Sequence, residues 1–257
     1  MTSTTIAALF SGAVIGFILG LLGGGGSIFG TPMLVYVVGV ADTHVAIGTA
    51  AMAVSVNAFI NLLGHARTSQ IWWRSASVFA AVGAVGVVTG SRVAKVVDGQ
   101  LLLFLFGLLM VVVGYLMLRG RGHDANTNAV EPRPGVKLAL VALAVGFAAG
   151  FFGVGGGFLI VPGLVWAAKM PIRTAIGSAL LSVCVFATGT MITYASAGLV
   201  DWQLGGKVIA GGVVGGLLGI FVAGRLSTRQ NTLGKLFAIT VLACAVYVLY
   251  RSSRILW

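Results

Sequence analysis

The sequence predicts an all-α, polytopic integral membrane protein of two homologous repeats, with glycine-broken half-helices near the midplane. Three observations predict it. First, 58% of the 257 residues are apolar, only 8% are charged, and the mean hydropathy is +1.07. A soluble globular domain carries roughly 25% charged residues, so this chain has too little polar surface for a soluble enzyme, and its composition also excludes a disordered or collagen-like chain. Second, apolar runs near membrane length recur along the chain. Third, the second half repeats the first.

Taken in order, the apolar pieces of the first half are 6–22, 28–40, 45–64, 75–91 and 101–118. Those of the second are 136–152, 158–168, 175–194, 206–224 and 236–250. A span needs about 20 residues, so 28–40 and 158–168 read as half-helices or re-entrant segments. The start of the chain carries no Lys or Arg through Phe17 and reads as the first membrane helix, not a cleaved leader. Residues 119–135 form the one sizeable polar stretch, with Asp124, Glu131, Pro132 and Pro134, and divide a first repeat (1–118) from a second (136–257).

The repeat is explicit. GFILGLLGGGGS at 16–27, followed by Pro32, matches GFAAGFFGVGGG at 146–157, followed by Pro162, at an offset of 130. At an offset of 129, Ala46-Ile-Gly-Thr-Ala matches Ala175-Ile-Gly-Ser-Ala, Trp73 meets Trp202, and Gly83, Gly86 and Gly90 meet Gly212, Gly215 and Gly219. Loop charges place the polar stretch in the cytoplasm but do not decide whether the repeats are parallel or inverted.

The net charge of +11 sits in clusters between apolar runs, as at Arg67 with Arg74 and Arg92 with Lys95. That pattern orients a membrane protein; there is no aromatic-interleaved stripe for nucleic acid. Cys184 and Cys244 lie inside apolar runs, and no Cys/His cluster calls for a metal or other cofactor.

Glycines spaced by four, such as Gly12, Gly16 and Gly20, read as helix-packing stripes. The consecutive runs read differently, because each glycine costs about 1 kcal/mol of helix stability. Broken helix at membrane depth is tolerated around a cavity, and the following helix starts with free N–H groups and a positive dipole end. The expected anion site is therefore Gly24, Gly25, Gly26 and Ser27 from one half and Gly155, Gly156 and Gly157 from the other. Thr49 and Ser178, repeat-equivalent hydroxyls after Ile-Gly, are expected donors. Asn57 is shared between this site and interhelical hydrogen bonding, and His44 and Arg173 are expected at the entrance. His65 and His123 read as loop residues. The acids all fall at helix ends or in loops, which argues against a carboxylate cation relay.

At these duplicated glycine–proline motifs the chain resembles the sulfite exporter family TauE/SafE over essentially its whole length. The resemblance implies a prokaryotic inner-membrane permease for a small sulfur-containing anion such as sulfite, thiosulfate or an organosulfonate. Ser27, where the second half has Gly157, departs from internal symmetry and is expected to add a hydroxyl donor. Protons or the membrane potential are the driving forces left open, as is the choice between a single chain and a homodimer. A membrane-embedded enzyme is the alternative, but no nucleophile–base set converges in the spans; a scaffold would leave the paired glycine breaks unexplained.

Overall fold

The computed structural model describes residues 2–68, 71–119, 131, 134–225 and 241–251. Among them every regular element is helical: α1 (Thr2–Leu22), α2 (Gly23–Val38), α3 (Thr43–Thr68), α4 (Trp73–Ala94), α5 (Gly99–Arg119), α6 (Val136–Phe152), α7 (Gly157–Ala168), α8 (Ile172–Ala195), α9 (Trp202–Arg225) and α10 (Val241–Arg251). The second is composite, a 3-10 stretch over Gly23–Phe29, one α-turn over Gly30–Met33 and a π stretch over Leu34–Val38. Five helices are long and apolar enough to cross a membrane. Residues 236–240 of the last expected piece, and most of the polar stretch, lie outside the described residues.

The acids explain several helix starts. Asp42 accepts the N–H groups of His44 and Val45 at the head of α3, and Asp98 those of Gln100 and Leu101 at the head of α5. Asp201 accepts from Leu204 in α9, and Glu131 from Ser75 in α4. A carboxylate there satisfies orphan donors and meets the positive helix end. All four described carboxylates are used in this way.

Backbone-to-backbone packing brings the halves together. A Cβ on Gly16 would overlap the Gly212 carbonyl, and one on Gly146 would overlap the Gly83 carbonyl. These contacts knit α1 to α9 and α4 to α6, each pair drawn from different halves. With no hydrophobic drive between helices in lipid, such close approach is what holds them.

The contacts also fix directions. Along α1 and α9, Gly12 faces Val208 and Gly20 faces Gly216, so the two are parallel; Met52 facing Gly205 and Asn61 facing Gly216 make α3 parallel to them. Likewise α4, α6 and α8 share one direction, with Gly150 on Val87, and Ser91 reaching both Gly150 and Thr190. Between the two sets the sense reverses: on α3 and α8, Gly48 packs on Tyr194 while Ser55 meets Thr188 at 2.6 Å.

Because α1 and α3 point the same way, α2 must carry the chain back, and α7 does the same between α6 and α8. Each pair, α1–α2 and α6–α7, is thus a re-entrant hairpin. By the α1–α9 pairing the first tip stops about six residues, roughly 9 Å, short of the end of α9. The second stops about five residues, roughly 8 Å, before the end of α4. The hairpins enter from opposite ends of the bundle and their tips overlap.

With Cys184 and Cys244 replaced by alanine, cysteines placed at Val96 and Gly198 should label with a membrane-impermeant thiol reagent from one face, and those at Trp73 and Lys169 from the other. Labelling of the Trp73 and Gly198 positions from the same face would overturn these directions. Gly146→Leu, which puts a side chain into the Gly83 carbonyl, should cost about 3 kcal/mol and abolish a monodisperse peak in detergent. Gly206→Ala, whose Cβ meets open space, should keep or raise the melting temperature.

Candidate functional site

Both hairpin tips are built by glycine, in two ways. In the first, Gly23 turns left-handed (φ 67°) to end α1, and the chain tightens into the 3-10 stretch. In the second, Gly153, Gly155 and Gly156 all take positive φ (66°, 64° and 69°), a conformation that strains any L side chain. The sequence predicts uncoiled chain at both tips; the first is instead a helix with fewer residues per turn, which pairs N–H groups that an open loop would leave bare.

The two tips touch. A Cβ on Gly24 would run into the Gly157 backbone, and one on Gly157 into Gly24. Ser27 braces the contact: its hydroxyl donates to the Gly24 carbonyl at 3.0 Å and accepts the Gly157 N–H at 3.2 Å. Gly155 faces Val54 of α3, Ala187 of α8 and Ser27. Each tip also leans on the Ala-Ile-Gly segment of the other half, Gly23 on Ile176 and Gly153 on Ile47. Gly24, Gly25, Gly26, Ser27, Gly155, Gly156 and Gly157 are all buried. Gly26 and Gly156 serve packing, against Ile15 and Leu19 in one hairpin and Ala149 and Phe186 in the other.

Two of the expected donors are spent in this conformation. Gly157 N–H goes to Ser27, and the N–H groups of Leu159 and Ile160 turn back to the Gly156 carbonyl. The Ser27 proton goes to Gly24, so Ser27 is a brace here and not an extra donor. An unpaired polar group in an apolar layer is costly, which is why Ser27 pairs with both tips.

Thr49 and Ser178 do not converge. Each is fully buried and accepts a loop N–H from the other half, Thr49 from Asp201 at 3.0 Å and Ser178 from Trp72 at 3.1 Å. Asp201 and Trp72 are themselves equivalent at the 129 offset, so the two bonds are reciprocal. With Gly48 on Tyr194, Ser178 lies about 15 residues further along α8 from the level of Thr49, roughly 22 Å. The pair flanks the tips from opposite ends, each with a hydroxyl proton still to donate. His44 sits at the Thr49 end, stacked on Tyr194 with ring centroids 6.2 Å apart. Arg173 belongs to α8, and its side chain lies outside the described residues.

Asn57 is fully buried one turn from Val54, against Gly212, and neither its Nδ2 nor its Oδ1 has a partner. Its neighbour Asn61 donates to the Asn57 carbonyl at 2.8 Å. His65 extends this face of α3 and pairs with the Gly20 carbonyl at 3.0 Å. It is a buried helix residue instead of a loop residue, because α3 runs four residues past the expected end at 64. His123 lies outside the described residues.

Sequence reasoning missed the Ser55–Thr188 contact at the α3–α8 crossing, one residue from Val54 and Ala187. Thr188 is anchored by its hydroxyl to the Cys184 carbonyl at 2.7 Å. A signal was available: Ser55 and Cys184 are equivalent at the 129 offset, placing a small polar side chain twice where the halves cross. No group of three or more His, Cys, Asp or Glu could hold a metal among the described residues.

The family model described as "Sulfite exporter TauE/SafE" matches residues 8–248. A "Probable membrane transporter protein" of Xylella fastidiosa is 51% identical over 249 residues, covering 96% of this chain and 95% of the relative. A probable membrane transporter protein of Methanocaldococcus jannaschii is 28% identical over 196 residues, covering 72% of this chain and 71% of the relative. One from Bacillus subtilis is 23% identical, covering 91% and 93%. No solved structure matches the chain.

Removing the brace isolates its role. Ser27→Ala leaves the buried Gly157 N–H unpaired, which costs about 1–3 kcal/mol. Thermal unfolding in detergent should show a lower melting temperature, and an unchanged value would mean that the tips hold without it.

Proposed function

The chain belongs to the sulfite exporter TauE/SafE family and is a multi-pass membrane transporter; from that premise we propose that it is a secondary transporter of a small sulfur-containing anion such as sulfite, thiosulfate or an organosulfonate. The observation that carries the proposal is the meeting of two glycine tips from opposite ends of the bundle, latched by one serine.

The two halves are inverted repeats, a relation supported by the antiparallel run of the equivalent helices α3 and α8. Inverted repeats that rock against each other expose a central site to either side in turn. In the latched conformation the Ser27 hydroxyl and the Gly157 N–H are engaged with each other. Parting the tips releases the Ser27 hydroxyl and the Gly157 N–H, donors that an oxyanion accepts in exchange. Burial makes those hydrogen bonds strong, and no lysine is needed. Thr49 and Ser178 serve as hydroxyl steps on either side of the tips, with His44 and Arg173 at the two mouths, where the Arg173 charge draws an anion in. Asn57 supplies a buried amide whose present lack of a partner is relieved when substrate or water enters. The spans carry no carboxylate among the described residues, so the driving force is the membrane potential or a proton handled without an acidic relay.

Purified chain in liposomes tests this with sulfite, thiosulfate, sulfoacetate and sulfate flux. Asn57→Leu replaces an unpartnered amide with an apolar side chain of similar size, so it should leave the melting temperature unchanged or raised while flux falls at least tenfold. Thr49→Val with Ser178→Ala should also reduce flux. Wild-type flux in these folded variants would reject the site, and absence of flux of every anion in the wild type would reject the substrate class.

A further inference from the structure

At their C-terminal ends α4 and α8 part to form an open cleft of about 240 Å3, lined by Val88, Arg92, Lys95, Ile192, Thr193 and Ser196. We propose that this cleft binds the phosphate of an anionic phospholipid between Arg92 and Lys95, with an acyl chain along Val88 and Ile192.

The donor inventory supports an anion. Thr193 spends its hydroxyl proton on the Gly189 carbonyl and Ser196 on the Thr193 carbonyl. Lys95 gives one proton to the Thr193 carbonyl at 3.2 Å and keeps two. Arg92 is exposed and makes no hydrogen bond or ion pair among the described residues. No carboxylate lines the wall, so two positive charges face the opening unneutralised.

Depth and shape select a lipid over a soluble anion. The candidate spans Trp73–Ala94 and Thr174–Ala195 both end at the cleft, so its cations stand where the apolar layer gives way to headgroups. Trp202, 59% exposed, starts α9 at this same end, as an interfacial aromatic does. Below the cations the lining is Val88 and Ile192, with Val85 exposed about one turn further down α4. A free anion would use the donors and leave that wall unused. The duplication does not require the cations either, since the positions equivalent to Arg92 and Lys95 are Phe221 and Gly224.

The test uses delipidated, purified full chain and native mass spectrometry, titrating phosphatidylglycerol against phosphatidylcholine with identical acyl chains. Two interfacial cations should favour phosphatidylglycerol about 25-fold, roughly fivefold from each. Arg92→Gln should lose about fivefold, and Arg92→Gln with Lys95→Gln should bring the two lipids to parity. Arg92→Gln alters an exposed, unpartnered side chain, so it reports even where the double variant does not fold. Equal binding of both lipids by the wild type, or full preference kept in Arg92→Gln, would overturn the proposal. So would displacement of phosphatidylglycerol by equimolar inorganic phosphate, the signature of a soluble-anion site; failure of phosphate to compete supports the lipid.

Discussion

A main chain that reverses direction inside an apolar layer must satisfy its own polar groups, because no water is there to do it. Everything distinctive in this molecule answers that constraint. Two hairpins turn back before reaching the far side of the bundle, and each turn exposes peptide groups at depth. They are covered by one another: Gly24 against Gly157, with the Ser27 hydroxyl accepting on one side and donating on the other. Glycine is needed at the tips because positive φ and backbone contact both exclude a side chain. The same logic governs the helix shafts, where glycine stripes let α1 meet α9 and α4 meet α6 carbonyl to Cα.

The polar side chains fall into two kinds once those contacts are known. Those that are satisfied hold the architecture: acids capping helix starts, and Thr49 and Ser178 fastening a loop of the opposite half. Those that are unsatisfied, Asn57 above all, have no stability argument for being polar. An amide buried without partners is tolerated where something else fills its valence part of the time. Under the proposed function, this difference separates residues whose loss weakens the fold from residues whose loss weakens transport.

Much of the fold is legible in the sequence, for identifiable reasons. The α6 piece, 136–152, coincides with the observed helix because a glycine ends it in the left-handed conformation. The short pieces read as re-entrant because their lengths forbid a crossing. Helix direction was not legible: loop charge is evenly balanced between the arrangements, and direction emerges only from which residues face each other, as Gly48 faces Tyr194 and Ser55 faces Thr188. The glycine runs identify where the halves meet, yet not that Ser27 is consumed in the meeting. Repeat equivalence places Thr49 and Ser178 in matching positions but not in one place, since the antiparallel run of α3 and α8 sends them to opposite ends. His65 was misread because a helix boundary set from hydropathy alone ends too early when a buried polar residue finds a carbonyl partner.

The crossed loop bonds have one more consequence. The Asp201 peptide is held by Thr49 and the Trp72 peptide by Ser178, while each hairpin tip rests on the isoleucine of the other half. Neither half owns a complete set of partners, so their union is an interleaving, not a tether. Severing the polar stretch between them would leave two fragments still clasped, whereas either fragment produced alone would be an unfinished surface.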